Sequence, residues 1–405
     1  MPTFSVVIPT RNRANILKYA IRSVLNQDFD DYELVISDND SSDSTCDVVK
    51  SFDNQKIRYV NPGRFLSVSD HWTFAVKHSR GDYIWVLGDD DCLSPYALSA
   101  IKDEIDKRHP KMIWCRHIKY YGPECVMERL RNSILFEVRK LHGNAQELKS
   151  DDMLKSWFGL DSPQNFPHPS VVCISAVVVS QILDELGAFF FQPFPEYTAF
   201  PLALTYIEKV TILDKLLVVL GSGVQAVNAR DEVTRDGEFA EPLSYKIART
   251  PLKGKYFINA MAESYSVAKE LRPRKLKNIE ISMEMYFIHY YRSMLVHKRI
   301  GHDVNADMKE FKLSLSNLPK SQKRRITNEI RMTQLVEIIK RIPLSKIVAM
   351  LQSKYYLFGN RINSIFGNRI QIPNKILGDD NGIGNILDCV AKLETIETKI
   401  NQMVK

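Results

Sequence analysis

The sequence predicts an α/β domain with a mostly parallel sheet, followed by a helical C-terminal region. Three observations predict it. Short apolar runs alternate with helical patterns through the first third of the chain, which is the signature of strands crossed over by helices. An acidic triplet stands directly behind one of those runs. After about residue 245, glycine and strand-like runs become rare and long helical patterns take over.

Taken in order, Phe4–Pro9 reads as a strand and Arg13–Asn26 as a helix, with Ile16, Leu17, Ala20, Ile21, Val24 and Leu25 on one face. Tyr32–Ser37 is a second strand, followed by a helix through Val48 that a Ser/Asp cluster caps. Ile57–Val60 and Tyr83–Leu87 are strands on either side of a helix at Val68–Ser79. Met112–Tyr121, Val171–Ile174 and Leu216–Leu220 read as further strands, and Ala176–Leu186 as a helix closed by Gly187. The expected domains are 1–235 (α/β), 236–337 (helical, packed on the first), 338–378 (a basic amphipathic segment) and 379–405 (a short helix with heptad-like apolar spacing).

Bulk composition narrows the class. The 405 residues carry 55 basic and 48 acidic side chains, a net charge of +7 that suits an anionic partner. Six scattered cysteines form no CxxC pair, which excludes a zinc knuckle and a disulfide framework. The longest apolar runs, Val171 to Val179 and Leu216 to Leu220, fall far short of the ~20 residues of a membrane span. The N-terminus has no basic region before its first strand, so a cytoplasmic protein is expected, peripheral at most to the inner face of the plasma membrane.

Three clusters carry chemistry. Gly88-Asp89-Asp90-Asp91 follows the strand Tyr83–Leu87. Three consecutive carboxylates are costly unless a cation neutralises them, and hard divalent cations choose oxygen ligands. Open parallel sheets bind ligands at the carboxyl ends of their strands. Ser37-Asp38-Asn39-Asp40-Ser41-Ser42-Asp43 also follows a strand; such residues serve as caps and turns, and one carboxylate there suits a nucleobase. Pro9-Thr10-Arg11-Asn12-Arg13 places basic side chains at a helix start, which suits an anion.

Together the segments SVVIPTRNRANILKYAIRSVLNQ, YELVISDNDSSDST and GDYIWVLGDDD closely resemble the N-terminal half of glycosyltransferase family 2, over about residues 4–100. The resemblance implies a GT-A fold, a nucleotide-diphosphate sugar donor, a divalent metal (manganese or magnesium) and inversion at the anomeric carbon. It places the nucleobase on Asp38, the nucleotide near Pro9, Thr10, Arg11 and Arg13, the ribose on Asp89 and the metal on Asp90 and Asp91. Arg64 is positioned for the base or diphosphate. The family's glycine-containing DGSTDG is absent here, and so is the Gln-x-x-Arg-Trp motif of its processive members. Long processive polymer synthesis is therefore disfavoured.

An inverting transfer needs a carboxylate that takes the acceptor proton. Glu196 in Phe194-Pro195-Glu196-Tyr197 lies about where the family carries it, and Asp161 is the alternative. Trp157 and His168 are candidates for acceptor contact, against core and loop roles respectively. The expected partners are the sugar nucleotide, a glycan or lipid-linked acceptor of cell-envelope polysaccharide (O-antigen or capsule type), and an anionic membrane surface. The last is read from 338–375, which contains no acidic residue. Self-association through 383–404 is expected from its apolar spacing. Nucleic acid is not expected, although the basic tail keeps a nucleic-acid-binding protein as one alternative and an inactive sugar-nucleotide-binding scaffold as another.

Overall fold

The computed structural model describes residues 1–125, 128–136, 141–160, 168–221, 248–254, 256–299, 301–340, 374–377 and 383–403. Asp161 and most of the basic segment 338–378 lie outside these residues. The chain divides into two compact units. Unit 1 comprises Met1–Arg249, Ala260–Ile281 and Lys375–Lys405; unit 2 comprises Thr250–Asn259 and Ser282–Asn374.

Unit 1 is built on β1 (Phe4–Thr10), β2 (Tyr32–Asp38), β3 (Ile57–Val60) and β4 (Tyr83–Val86), all parallel, with β1 between β2 and β4 and β3 beyond β2. Every residue of β1 and β2 is buried. That burial is why these strands read as continuous apolar runs rather than alternating ones. The helices α1 (Ala14–Leu25), α2 (Thr45–Lys50) and α3 (Val68–Lys77) make the crossovers. Helix α1 buries Leu17, Ala20, Ile21 and Val24, the stripe that its spacing predicts. In this register Thr10 pairs with Asp38, so the ends of β1 and β2 finish level at the carboxyl edge.

The chain continues through β5 (Cys92–Leu93), α4 (Ala97–Arg108), β6 (Met112–Tyr121), β7 (Ser133–Phe136), β8 (Ala145–Lys149), α5 (Ser150–Gly159) and β9 (Val172–Ser175). Then come α6 (Ala176–Leu186), α7 (Pro195–Leu204), β10 (Lys209–Gly221) and α8 (Phe257–Leu271). The main sheet order is β11-β7-β6-β9-β4-β1-β2-β3, where β11 is Asn374–Leu377. The sheet is mixed rather than mostly parallel. Strand β9 lies antiparallel to both β4 and β6. It starts beside the carboxyl end of β4, where Ser170 receives the Gly88 N–H at 2.9 Å. A strand entering at that edge can only run back.

Strand β10 is longer than the apolar run Leu216–Leu220 that announced it. It runs parallel to β6 and antiparallel to β5 and β8. Asp214 interrupts the apolar pattern yet is buried, held by Arg116 Nε at 3.0 Å. A buried charge is tolerated once paired.

The C-terminal helices α12 (Ile386–Ala391) and α13 (Leu393–Met403) belong to unit 1. Ile383, Ile386, Val390, Leu393 and Ile396 pack with Cys92, Ile118, Tyr120, Leu216 and Val219 in one apolar cluster. The heptad-like spacing therefore fills a core within the chain. The self-association expected through 383–404 loses the surface from which it was read.

Unit 2 contains α9 (Met283–Arg299), α10 (Asn305–Ser316) and α11 (Lys320–Lys340). Phe311 of α10 packs against Phe287, Tyr290 and Tyr291 of α9, with ring centroids 5.6–6.1 Å apart. The aromatic stretch of α9 is thus a packing face. Among the described residues, no helix is long and apolar enough to cross a membrane.

Candidate active site

The carboxyl edge of β1, β2 and β4 gathers the acidic clusters. Thr10, last in β1, donates its hydroxyl to Asp89 Oδ2 at 2.7 Å. Arg13, just before α1, reaches Asp89 Oδ1 at 2.8 Å and Asp90 Oδ2 at 3.4 Å. Both oxygens of Asp89 are therefore engaged by the end of β1 and the turn that follows it.

Asp91 turns the other way. Its Oδ2 accepts from the Ser170 hydroxyl and its Oδ1 from the Gly221 N–H at 2.9 Å. His168 stands beside it, with Nδ1 3.6 Å from Oδ2. Ser170 is fully buried and its carbonyl accepts from Trp85 Nε1 at 2.7 Å, which fixes it to β4. Gly221 has to be glycine: a Cβ there would fall 1.9 Å from the Asp90 carbonyl oxygen.

Asp90 is the least covered of the three. Its side chain is 21% exposed against 8% and 2% for its neighbours. Its Oδ1 accepts no hydrogen bond among the described residues. Burial raises the pKa of both Asp90 and Asp91, and the repulsion within the triplet adds to it. Burial also lowers His168 to about 4, so that imidazole is neutral near pH 7.

The donor set tests the expected divalent cation. It is all oxygen, as a hard cation requires. Among the described residues, no three His, Cys, Asp or Glu side chains form a ready cage. The donor chemistry fits a cation held by one or two carboxylates and completed by phosphate oxygens: Asp90 carries the open oxygen, and Asp91 is already engaged.

Asp38, last in β2, is buried and accepts from Tyr59 OH at 2.5 Å and from the Ser41 N–H at 3.1 Å. Burial and this hydrogen bond raise Tyr59's pKa. Asn39 staples the loop after β3 to the end of β2, exchanging bonds of 2.9 Å with Leu66 N–H and C=O. That loop carries Arg64, which is exposed, and Phe65, over whose ring Arg11 lies at 4.1 Å. Pro9 is buried within β1. Asp43 serves as the cap expected of its cluster, accepting from the Ala14 and Thr45 N–H groups at 3.0 Å each.

The remaining candidates separate. Glu196 lies in the first turn of α7, with no ion pair and no hydrogen bond to another side chain among the described residues. Burial pushes it up to about 7. Trp157 is 7% exposed on α5, so its indole is part of the core and the sugar-stacking expectation is withdrawn. The sequence reading missed Ser170, Gly221 and Tyr59. Each acts through a partner at least 21 residues away, and only the glycine ending β10 left a local trace.

Residues 5–158 match the family described as Glycosyl transferase family 2. The GalNAc(5)-diNAcBac-PP-undecaprenol beta-1,3-glucosyltransferase of Campylobacter jejuni is 31% identical over 163 residues, covering 39% of this chain and 50% of that protein. The abequosyltransferase RfbV of Salmonella typhimurium is 34% identical over 109 residues, covering 26% and 33%. This chain spans half or less of the length of these relatives. Among solved structures, S. aureus TarS 1-349 in complex with UDP-GlcNAc covers 81% of this chain and 79% of its own at 15% identity, with a TM-score of 0.47.

Proposed function

We propose, from the premise that residues 5–158 belong to glycosyltransferase family 2, that this chain transfers a sugar with inversion from a nucleotide-diphosphate donor. The acceptor is a glycan or lipid-linked intermediate of cell-envelope polysaccharide. The observation that carries the reading is the braced triplet at the carboxyl edge of β4. Thr10 and Arg13 hold one carboxylate, Ser170 and Gly221 hold another, and Asp90 between them keeps an open oxygen.

In this reading Asp38 and Tyr59 receive the nucleobase, beside Arg11, Phe65 and Arg64. Asp89 takes a ribose hydroxyl on its remaining lone pairs. Asp90, supported by Asp91, holds a manganese or magnesium ion, which when bound offsets the charge of the donor diphosphate. Arg13 adds a fixed positive charge on the same side. Glu196 removes the proton of the acceptor hydroxyl; a carboxylate raised to about 7 is matched to that task. Residues 1–235 carry this chemistry. The lipid-linked acceptor class draws on the undecaprenol-linked substrate in the Campylobacter relative's name, and a peripheral position at the inner membrane face follows from it.

A thermal-shift screen of nucleoside diphosphates with and without manganese tests the donor site. A ligand at 100 times its Kd stabilises the native state by about 2.7 kcal/mol. One nucleotide should shift the wild type in a manganese-dependent way, and Asp38→Ala should lose that shift. No shift with any nucleotide would overturn the donor-site assignment.

A further inference from the structure

Unit 2 spends its described acids inside itself. Asp307 accepts from Tyr256 OH, and Glu310 from the Lys253 N–H at 3.4 Å. Glu284 pairs with Arg325 at 3.5 Å and Glu329 with Arg292 at 3.7 Å. Asp303 caps the Asn305 N–H at 2.9 Å. The cations Lys309, Lys312, Lys320, Lys323, Arg324 and Arg331 are exposed and form no ion pair among the described residues.

Helical spacing collects them. Lys309, Lys312, Leu313 and Ser316 share one exposed face of α10; Lys320, Arg324, Asn328, Arg331 and Leu335 share one of α11. Neither face carries an acid. Each carries one aliphatic side chain standing out of the protein among cations: Leu313 is 66% exposed and Leu335 47%. A single exposed leucine is ordinary on a solvated face; set among unpaired cations on a face without acids it matches an interfacial helix, which enters the acyl boundary with such a side chain while its cations meet headgroups.

We propose that these solvent faces of α10 and α11 dock on an anionic lipid bilayer. The inference rests on the lipid-linked acceptor reading: docking would confine the attached catalytic unit to the plane in which such an acceptor lies. Single-stranded nucleic acid fits less well, because binding it uses exposed aromatic platforms and Tyr286, Phe287, Tyr290 and Tyr291 of α9 are buried, packed with Phe311 of α10.

The test is flotation of the full chain with vesicles of phosphatidylcholine alone or mixed with phosphatidylglycerol. Binding is expected only to the mixed vesicles. The triple variant Lys312→Glu/Arg324→Glu/Arg331→Glu should lower partitioning about 100-fold, at roughly five-fold per cation. Leu313→Ser/Leu335→Ser should weaken the fraction that survives added salt. The conservative Lys312→Arg/Arg324→Lys/Arg331→Lys should keep binding, which controls for folding. Unchanged flotation of the triple reversal would overturn the proposal. So would loss confined to Lys346→Glu/Lys354→Glu/Arg361→Glu, or preferential capture by a single-stranded oligonucleotide. Flotation requires no turnover, and the nucleotide thermal shift requires no vesicle, so failure of one reading leaves the other measurable.

Discussion

The loops after β2 and β4 are both aspartate-rich and both close the carboxyl edge of the same parallel strands, yet they use their carboxylates differently. The β2 loop spends its carboxylates on uncharged donors, inside the loop and beside it: Asp38 accepts from Tyr59 OH and Asp43 from the Ala14 N–H. Asp43 caps Thr45 two residues on, and Asp38 accepts from Ser41 three residues on. The β4 loop draws its partners from across the chain: Thr10 and Arg13 are 76 or more residues before it, Ser170 and Gly221 79 and 130 after. A loop whose carboxylates are met by neutral donors stores little repulsion. A loop whose charges are held apart by distant elements stores repulsion, and stored repulsion is available to bind a cation or a polyanion's counter-charge.

Removing the open oxygen of the second loop should break this difference most sharply. Asp90→Ala is expected to lower transfer by roughly 10²–10³-fold, the usual cost of losing one group that offsets developing charge. The fold should not suffer, because the lost carboxylate is one whose ionisation burial and Asp91 oppose. Turnover assays beside thermal denaturation check both halves. A variant that keeps its activity in added manganese would remove Asp90 from the site, and one that unfolds would make the triplet a structural turn like its neighbour.

The same contrast explains what the sequence made legible. Strands β1 to β4, helix α1 and the Gly187 cap were readable because each depends on burial pattern or on residues a few positions away. The antiparallel run of β9, the true start of β10 at Lys209 and the core destination of the C-terminal stripe were not. They depend on which edge the chain enters, on a salt bridge between Arg116 and Asp214, and on an apolar cluster assembled from segments far apart. At the site, the acidic residues were readable by type and position. Their braces were not, since a serine in a loop and a glycine at a strand end carry no mark of the aspartate they will hold.

Glu196 sharpens the comparison, as a third carboxylate that, among the described residues, has no ion pair and no other side chain as partner. The role of base proposed for it requires the ionised form, so kcat/KM should rise with pH through about 7 and level above it. Glu196→Gln should lower the plateau by about 10²-fold and abolish the pH step. Stability moves the other way. A carboxyl raised in the folded state binds more protons folded than unfolded between its unfolded and folded pKa values, so the native protein loses stability as pH rises through that window. The glutamine variant should therefore melt higher than the wild type at pH 8 and equally at pH 4. A variant that loses activity and stability together at pH 8 would point to packing at the start of α7 instead.

The smallest effect belongs to the β2 loop. Asp43→Ala removes acceptors from the N–H groups of Ala14 and Thr45, at the first turns of α1 and α2. Losing a cap of this kind costs about 0.5–2 kcal/mol, and donor affinity should be unchanged. The pH dependence identifies the cause. Burial acts to raise Asp43, but hydrogen bonds from Thr45 and the Ala14 N–H outweigh it and hold the carboxyl below its ordinary range. A depressed acid contributes stability above its unfolded pKa and loses it as pH falls through the folded one. The difference in melting temperature between wild type and Asp43→Ala should therefore be full at pH 7 and shrink in acid. A difference that persists undiminished in acid would mean that the side chain acts by packing, and the division between a capping loop and a charge-holding loop would then fail at its simpler end.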